Sequence, residues 1–144
     1  MVPEYLNYLL TGNMVNEYTN ATTTNLVNAR TCTWDALALE AAEAPARLFG
    51  EIAMPGTVVG GLAPEVQQRV GFDARVILPA THDTGSAFLA VPARDAQAVY
   101  LSSGTWSLLG VEHEGPITSD ASRYQNFTNE GGYLKRFRFL KNIM

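Results

Sequence analysis

The sequence contains a single cysteine and no long apolar run. One thiol, Cys32, excludes a disulfide framework and a zinc cluster built from cysteines, and it fits a reducing compartment, so we expect a cytoplasmic protein. No apolar stretch approaches the roughly 20 residues that cross a bilayer. No charged start followed by an apolar block opens the sequence. We therefore expect neither a leader nor a membrane partner.

Basic residues are also scarce. Ten Lys and Arg residues stand against 14 Asp and Glu residues, which gives a net charge of -4. Nucleic-acid binding needs a basic face, so the charge argues against a nucleic-acid partner. The 144 residues, 47% of them hydrophobic, suffice for a domain with a core. Because the chain opens directly into a helix pattern and ends without a polar tail, we expect a piece of a longer protein.

One stretch combines a strand pattern, a polar turn and a helix pattern. Residues 75–78 form an apolar run typical of a short buried strand, Pro79 ends it, and residues 87–91 are typical of a helix packed on one side. His82 and Asp83 lie between the two, where the strand ends and the helix begins. In open α/β sheets ligands bind at that edge, and a helix start favours phosphate or carboxylate groups. Asp83 could equally serve as a helix cap.

The remaining patterns predict an α/β chain of short elements. We expect helices at residues 3–11, 35–46 and 64–70, with residues 48–52 as a candidate for a further helical turn, and strands at residues 57–59, 98–101 and 106–111. Residues 137–140 alternate loosely, which is typical of a strand or of the approach to a helix. The apolar side chains of the first helix should pack into the core, as should Trp106. Residues 102–105 are typical of a tight hairpin turn that offers backbone N–H groups and a hydroxyl to phosphate. Two polar stretches, residues 112–124 and 126–132, are expected as a loop and a turn.

Residues 19–25 are dense in asparagine and threonine. Such side chains compete for backbone hydrogen bonds, which favours a solvated turn. A run of amides and hydroxyls could also face a polyol such as a sugar.

Four blocks of the sequence follow one another in a specific order and spacing. They are residues 19–24, 81–87, 100–108, and 128–132 with 140–142. Together these blocks resemble the FGGY family of carbohydrate kinases. The resemblance implies an α/β chain with a partial ribonuclease-H-like, actin-like ATPase fold. It also implies two parts: the end of the sugar-binding N-terminal domain at residues 1–91, and the start of the nucleotide-binding C-terminal domain at residues 92–144.

The resemblance further implies an ATP-dependent sugar kinase. Its expected reaction is phosphorylation of the 1-hydroxyl of L-rhamnulose with Mg-ATP, with L-fuculose or another deoxy-sugar as the alternative. Asp83 matches the family's catalytic base, and His82 matches a neighbour that donates to a sugar oxygen. Thr105 matches a contact to the ATP phosphates and Asn142 a second nucleotide contact. A non-catalytic sugar- or nucleotide-binding module is the competing hypothesis.

Part of the family pattern is missing from these 144 residues. The glycine-rich first strand, which binds ATP phosphates and Mg²⁺, does not occur in the sequence, and neither does the adenine pocket. No residue of this sequence is therefore assigned as a metal ligand, and we expect little activity from these residues alone. Sheets that lose neighbouring strands expose their edges, so we expect self-association through them.

Overall fold

The computed structural model describes residues 1–143, which form six α-helices, eight strands and two 3-10 turns. The helices are α1 (Val2–Thr11), α2 (Tyr18–Thr22), α3 (Ala36–Ala41), α4 (Pro64–Val70), α5 (Asp83–Ala90) and α6 (Asp120–Tyr124). The strands are β1 (Asn16–Glu17), β2 (Ile52–Ala53), β3 (Val58–Gly61), β4 (Arg75–Ile77), β5 (Val99–Ser103), β6 (Ser107–His113), β7 (Thr128–Gly131) and β8 (Phe137–Asn142). The 3-10 turns are Ala46–Leu48 and Tyr133–Lys135. No helix within residues 1–143 is long and apolar enough to span a membrane.

The largest sheet has four antiparallel strands in the order β5, β6, β8, β7. β5 and β6 form the predicted hairpin, in which Ser103 lies opposite Ser107. α5 packs on this sheet, because the Phe88 ring stacks on the Tyr100 ring with 4.8 Å between their centroids. Both rings belong to one buried cluster with Leu140 of β8. This packing fixes the start of α5 beside the hairpin turn.

β4 is a strand, as the sequence predicts, but the expectation that it is buried is wrong. It pairs with β3 alone in a two-stranded antiparallel sheet, so its residues Arg75 and Ile77 are exposed. Leu78, which follows the strand, is the buried residue, with 1% of its surface exposed. β1 and β2 form a second small sheet, a parallel pair. Neither small sheet forms the open parallel sheet whose edge we expected to carry the ligand.

α1 and α4 match their predicted bounds. α1 ends at Gly12, whose φ of 77° closes the helix in the left-handed region. The expected core packing of α1 is wrong, since its large apolar side chains are exposed and Glu4 is its buried residue. The Glu4 carboxylate accepts hydrogen bonds from the Glu17 backbone N–H and the Asn20 amide, each at 3.4 Å. α1 therefore turns its polar side towards α2.

Several stretches differ from the expectation. α3 ends at Ala41, and residues 48–52 lead into β2 instead of forming a helix. The expected loop at 112–124 contains the end of β6 and all of α6, and the expected turn at 126–132 contains β7. β7 forms because it pairs with β8. β8 follows β7 closely in the chain, but residues 126–132 are rich in asparagine, threonine and glycine, so their composition is typical of a turn and does not reveal the strand.

α2 joins the first part of the chain to the large sheet. The Tyr18 ring lies against Gly131 of β7, where a Cβ atom would overlap the ring. The Gly131 N–H donates to the Thr22 hydroxyl at 2.9 Å. Tyr18 is buried, and this burial raises the pKa of its hydroxyl. The phenol therefore belongs to the packed contact between α2 and β7.

Replacing Gly110 with alanine should destabilise the chain. A Cβ atom there would overlap the Leu140 side chain and lie 2.7 Å from the Phe139 carbonyl oxygen, in the middle of the four-stranded sheet. Such overpacking should lower the free energy of unfolding by about 1–3 kcal/mol. Gly115→Ala is the matched control, because nothing lies within 4 Å of its added methyl group. Urea unfolding of both variants tests this, and equal midpoints would contradict the described packing.

Candidate active site

A cleft of about 520 Å³ lies between the start of α5, the β5–β6 turn and the strands β7 and β8. The residues that line it include all four of the predicted site residues: His82, Asp83, Thr105 and Asn142. These residues come from three separate segments of the chain. The fold therefore gathers them around one space, although their chemical roles remain predictions.

Asp83 is the first residue of α5 and presents its carboxylate to the solvent of the cleft. Its side chain is 96% exposed, and one carboxylate oxygen accepts a hydrogen bond from the Thr84 backbone N–H at 2.7 Å. The cap residue of the helix is His82, which makes no side-chain capping hydrogen bond. Asp83 thus satisfies only the adjacent N–H of its own helix. Its negative charge also interacts favourably with the helix N-terminus.

His82 is held between two carboxylates. Its Nε2 atom lies 3.6 Å from an Asp83 oxygen, and its Nδ1 atom lies 3.1 Å from an oxygen of Glu130 on β7. Its side chain is 18% exposed, so most of the imidazole is shielded while one edge reaches the cleft. The His82 backbone N–H donates to the Thr19 hydroxyl at 3.4 Å. The ring is therefore placed by Glu130, which also lines the cleft, and the backbone is held by Thr19.

Arg138 supports this arrangement from β8. The residue is 2% exposed, and one of its guanidinium nitrogens lies 3.5 Å from the Glu130 carboxylate. Burial lowers the pKa of the guanidinium, while the neighbouring Glu130 acts in the opposite direction and favours its charged form. The guanidinium packs directly on Gly85 of α5, where a Cβ atom would overlap it. The glycine is required there because the arginine occupies the space of a side chain.

Glu17 holds the residues that precede His82. Its carboxylate is 0% exposed and accepts hydrogen bonds from the Thr81 backbone N–H at 3.0 Å and the Thr81 hydroxyl at 2.8 Å. The same carboxylate caps α2 by accepting from the Thr19 and Asn20 backbone N–H groups at 2.8 and 3.0 Å. One buried side chain thus ties the start of α2 to the segment that carries the predicted site.

The asparagine- and threonine-rich stretch at residues 19–25 is not a solvated turn. Thr19 and Ala21 are fully buried, and the hydroxyls of Thr22, Thr23 and Thr24 donate to backbone carbonyls three residues earlier. Since these hydroxyls are used within the chain, they form a structural support for the site. They do not form the polyol-facing row that we considered as the alternative.

Thr105 and Asn142 line the cleft from the β5–β6 turn and from the end of β8. Thr105 is exposed in the turn between β5 and β6. The Asn142 side-chain oxygen accepts a hydrogen bond from the Ser107 backbone N–H at 3.2 Å, which fastens the end of β8 to the hairpin. Trp106 also lines the cleft and is 62% exposed, so the expectation that it packs in the core is wrong. The tight turn directs this ring outward.

Three buried charged residues near the cleft, Glu17, Glu130 and Arg138, were not among the predicted site residues. Glu130 lies in a block that carried the family resemblance, and Arg138 is a charge between two aromatic residues of a strand pattern. A charge inside an apolar strand is a sign of a buried ion pair. The partner of such a charge, however, is determined only by the pairing of β7 with β8.

The fold defines the class of protein. A xylulose kinase from Lactobacillus acidophilus superposes with a TM-score of 0.84 at 22% identity, over 98% of this chain and 28% of that protein. A gluconate kinase from the same organism superposes with a TM-score of 0.81 at 22% identity, again over 98% of this chain and 28% of that protein. The chain therefore has the fold of a segment of sugar kinases. This confirms the partial actin-like ATPase fold expected from the sequence.

The sequence comparisons define the family. The sequence model described as "FGGY family of carbohydrate kinases, N-terminal domain" matches residues 1–90, and the chain belongs to this family. It is 56% identical over all 144 residues to a rhamnulokinase from Oceanobacillus iheyensis and to another from Halalkalibacterium halodurans, covering 30% and 31% of their lengths. It is 48% identical to a rhamnulokinase from Yersinia pestis, of which it covers 29%. The chain thus spans less than a third of the length of these relatives.

Replacing Glu17 with glutamine should destabilise the chain. The buried Glu17 carboxylate now accepts from several backbone N–H and hydroxyl groups. In glutamine one of the two oxygens is replaced by an NH2 group, which is itself a donor and would face these donors. Unsatisfied buried groups of this kind cost about 1–3 kcal/mol each, so we expect a loss of about 2 kcal/mol in urea unfolding. The control is Glu114→Gln, an identical change at an exposed residue. If both variants unfold at the same urea concentration, Glu17 does not carry the role described.

Proposed function

We propose that this chain supplies the sugar-binding side and part of the ATP-binding side of a sugar kinase active site. The supporting observation is the exposed Asp83 carboxylate, which faces the same cleft as the Thr105 turn. The proposed acceptor is L-rhamnulose, because relatives that match all 144 residues at 48–56% identity are named rhamnulokinases. The proposed product is L-rhamnulose 1-phosphate.

Asp83 is the proposed catalytic base. The 1-hydroxyl of the sugar would donate a hydrogen bond to the Asp83 carboxylate, which orients the oxygen towards the γ-phosphate of ATP. As the oxygen–phosphorus bond forms and the bond to ADP breaks, the hydroxyl proton passes to Asp83. A loose phosphoryl-transfer transition state depends more on the position of the reacting groups than on the strength of the base. An exposed carboxylate on a fixed helix end is therefore a sufficient base for this reaction.

The β5–β6 turn is the proposed contact to the ATP phosphates. Thr105 would donate its hydroxyl, and neighbouring backbone N–H groups in the turn would add further donors. Asn142, at the end of β8, is the proposed second contact to the nucleotide. Its oxygen already holds Ser107, which fixes the side chain at the cleft wall. The two domain portions proposed for this chain, residues 1–91 and 92–144, would then contribute Asp83 and Thr105 respectively.

We propose that magnesium binds together with ATP, as Mg-ATP, and that the described residues do not form a separate site for it. Within residues 1–143 no group of three or more His, Cys, Asp and Glu side chains could hold a metal ion. Mg²⁺ in kinases takes many of its ligands from phosphates and water, so it fits this cleft as part of Mg-ATP. The ion would neutralise phosphate charge, while Thr105 and the turn position the phosphates.

Two further expectations complete the proposal. We place the protein in the cytoplasm, where its substrates as a sugar kinase occur. We also retain self-association through sheet edges as a prediction, because β5 and β7 are the outer strands of the four-stranded sheet among the described residues. Neither nucleic acid nor a membrane is a proposed partner.

A chimera tests the proposed function. These 144 residues would replace the matching stretch of the Oceanobacillus iheyensis rhamnulokinase, with which they share 56% identity. ADP release from Mg-ATP would be measured with L-rhamnulose, L-fuculose and no sugar. We expect L-rhamnulose-dependent turnover, and we expect Asp83→Asn to lower it about a thousandfold because the proton acceptor is lost.

Asp120→Asn is the matched control. Asp120 is also the first residue of a helix and also has an exposed side chain, but it does not line the cleft. It should leave turnover unchanged. Full turnover in Asp83→Asn would refute the base assignment, a preference for L-fuculose would replace the proposed sugar, and no sugar-dependent turnover would favour a binding module.

A further inference from the structure

The surroundings of the His82 Nδ1 atom determine which nitrogen of the neutral ring carries the proton. The Glu130 carboxylate lies 3.1 Å from Nδ1 and can only accept a hydrogen bond. A guanidinium nitrogen of Arg138 lies 3.4 Å from the same Nδ1 and 3.5 Å from that carboxylate, and it can only donate. With hydrogen on Nδ1, the ring donates to Glu130 and Arg138 also donates to Glu130. Without it, the Nδ1 lone pair could accept from Arg138 at 3.4 Å, but it would face the Glu130 carboxylate at the shorter distance of 3.1 Å.

We propose that Glu130 holds neutral His82 in the form protonated at Nδ1, so that Nε2 and the Asp83 carboxylate form a pair of acceptors for sugar hydroxyls. This inference rests on the proposed function and deepens it. It reverses the direction of the hydrogen bond expected from the family resemblance, in which His82 donates to a sugar oxygen. Glu130 and Arg138 then act as positioning residues, because they work through His82.

The proposed form places two hydrogen-bond acceptors side by side. Nε2 lies 3.6 Å from the nearest Asp83 oxygen, and in the proposed form neither atom carries a hydrogen. Two acceptors at this distance do not satisfy one another, so the pair is completed by groups that donate. Adjacent hydroxyls of a polyol donate in this way, whereas a carbonyl or a phosphate oxygen does not. The cleft wall at His82 and Asp83 therefore selects hydroxyl groups.

The position of Glu130 is fixed by its own partners. Glu130 is buried, and its charge is balanced by Arg138, which is enclosed by β8 and by Gly85 of α5. The charged and titratable groups that face the His82 ring are therefore Asp83 from its own helix, Glu130 from β7 and Arg138 from β8. The Thr19 hydroxyl from α2 meets only the His82 backbone. Of these groups, Glu130 alone accepts a hydrogen bond from Nδ1.

Nuclear magnetic resonance of the chain labelled with ¹⁵N in histidine tests the tautomer directly. The sequence has two histidines, and His113, whose ring contacts Gly115 outside the cleft, is the internal control. Spectra would be recorded at a pH above which neither histidine signal moves, so that both rings are neutral. We expect His82 to carry its proton on Nδ1. A His82 ring protonated at Nε2 in the unmodified chain would overturn the proposal.

The Glu130→Gln variant tests whether Glu130 determines the tautomer of His82 or only packs against its ring. The glutamine amide can turn either its oxygen or its nitrogen towards Nδ1, so we expect His82 to become a mixture of tautomers while His113 stays unchanged. An unchanged His82 in this variant would overturn the role of Glu130. If the variant fails to fold, as lost dispersion of its spectrum would reveal, the measurement on the unmodified chain still decides the tautomer.

The steady-state kinetics of the chimera test whether the sugar binds to the acceptor pair formed by His82 Nε2 and the Asp83 carboxylate. Glu130→Gln should raise the KM for L-rhamnulose about tenfold, the equivalent of one hydrogen bond, and leave the KM for ATP unchanged. An altered tautomer with an unchanged sugar KM would overturn the acceptor pair. The tautomer itself is read without turnover, so a failure of the proposed kinase function is distinguished from a failure of this inference.

Discussion

The buried ion pair between Arg138 and Glu130 is the constraint on which the cleft depends. A buried charge that loses its partner is strongly destabilising, so the strands β7 and β8 that carry the two residues must keep one register. The guanidinium also fills the space above Gly85, which fixes where α5 begins. One interaction therefore positions three of the elements that surround the cleft. It does so without placing a net charge behind His82, because the two side chains balance each other.

Glu17 complements this ion pair from the other end of the same segment. Its carboxylate holds Thr81, directly before His82, while Arg138 packs on Gly85, two residues after Asp83. Both anchors are buried charged side chains: Glu17 accepts several hydrogen bonds, and Arg138 pairs with Glu130. The segment from Thr81 to Gly85 is thus held at both ends, and Asp83 between them stays exposed. Fixed surroundings with one exposed functional group are what a positioned catalytic side chain requires.

The sequence was informative where structure is decided locally. Caps, periodicity and turn residues predicted α1, α4, the β5–β6 hairpin and the helix after His82. The family resemblance identified the four predicted site residues. β7, the exposure of Trp106 and the burial of Glu17 and Arg138 did not follow. The burial of Glu17 depends on the remote Thr81, and the burial of Arg138 depends on the remote Gly85, and no local pattern records such partners. β7 depends on its pairing with β8, although its own composition is typical of a turn, and the exposure of Trp106 depends on the conformation of the β5–β6 turn. The composition of residues 19–25 was misleading for a different reason, since their hydroxyls donate to nearby backbone carbonyls in a packed segment.

The two carboxylates beside His82 differ in their surroundings, and this difference supports the separate roles proposed for them. Glu130 is buried, and one of its carboxylate oxygens lies near both His82 and Arg138. Asp83 is exposed at a helix start and accepts only the adjacent N–H, so it can receive a substrate proton. Pairs of carboxylates commonly take separate roles when their environments differ in this way. The imidazole of His82 lies between the two carboxylates. In the proposed form Nδ1 donates its hydrogen to Glu130, so Nε2 beside Asp83 is a hydrogen-bond acceptor.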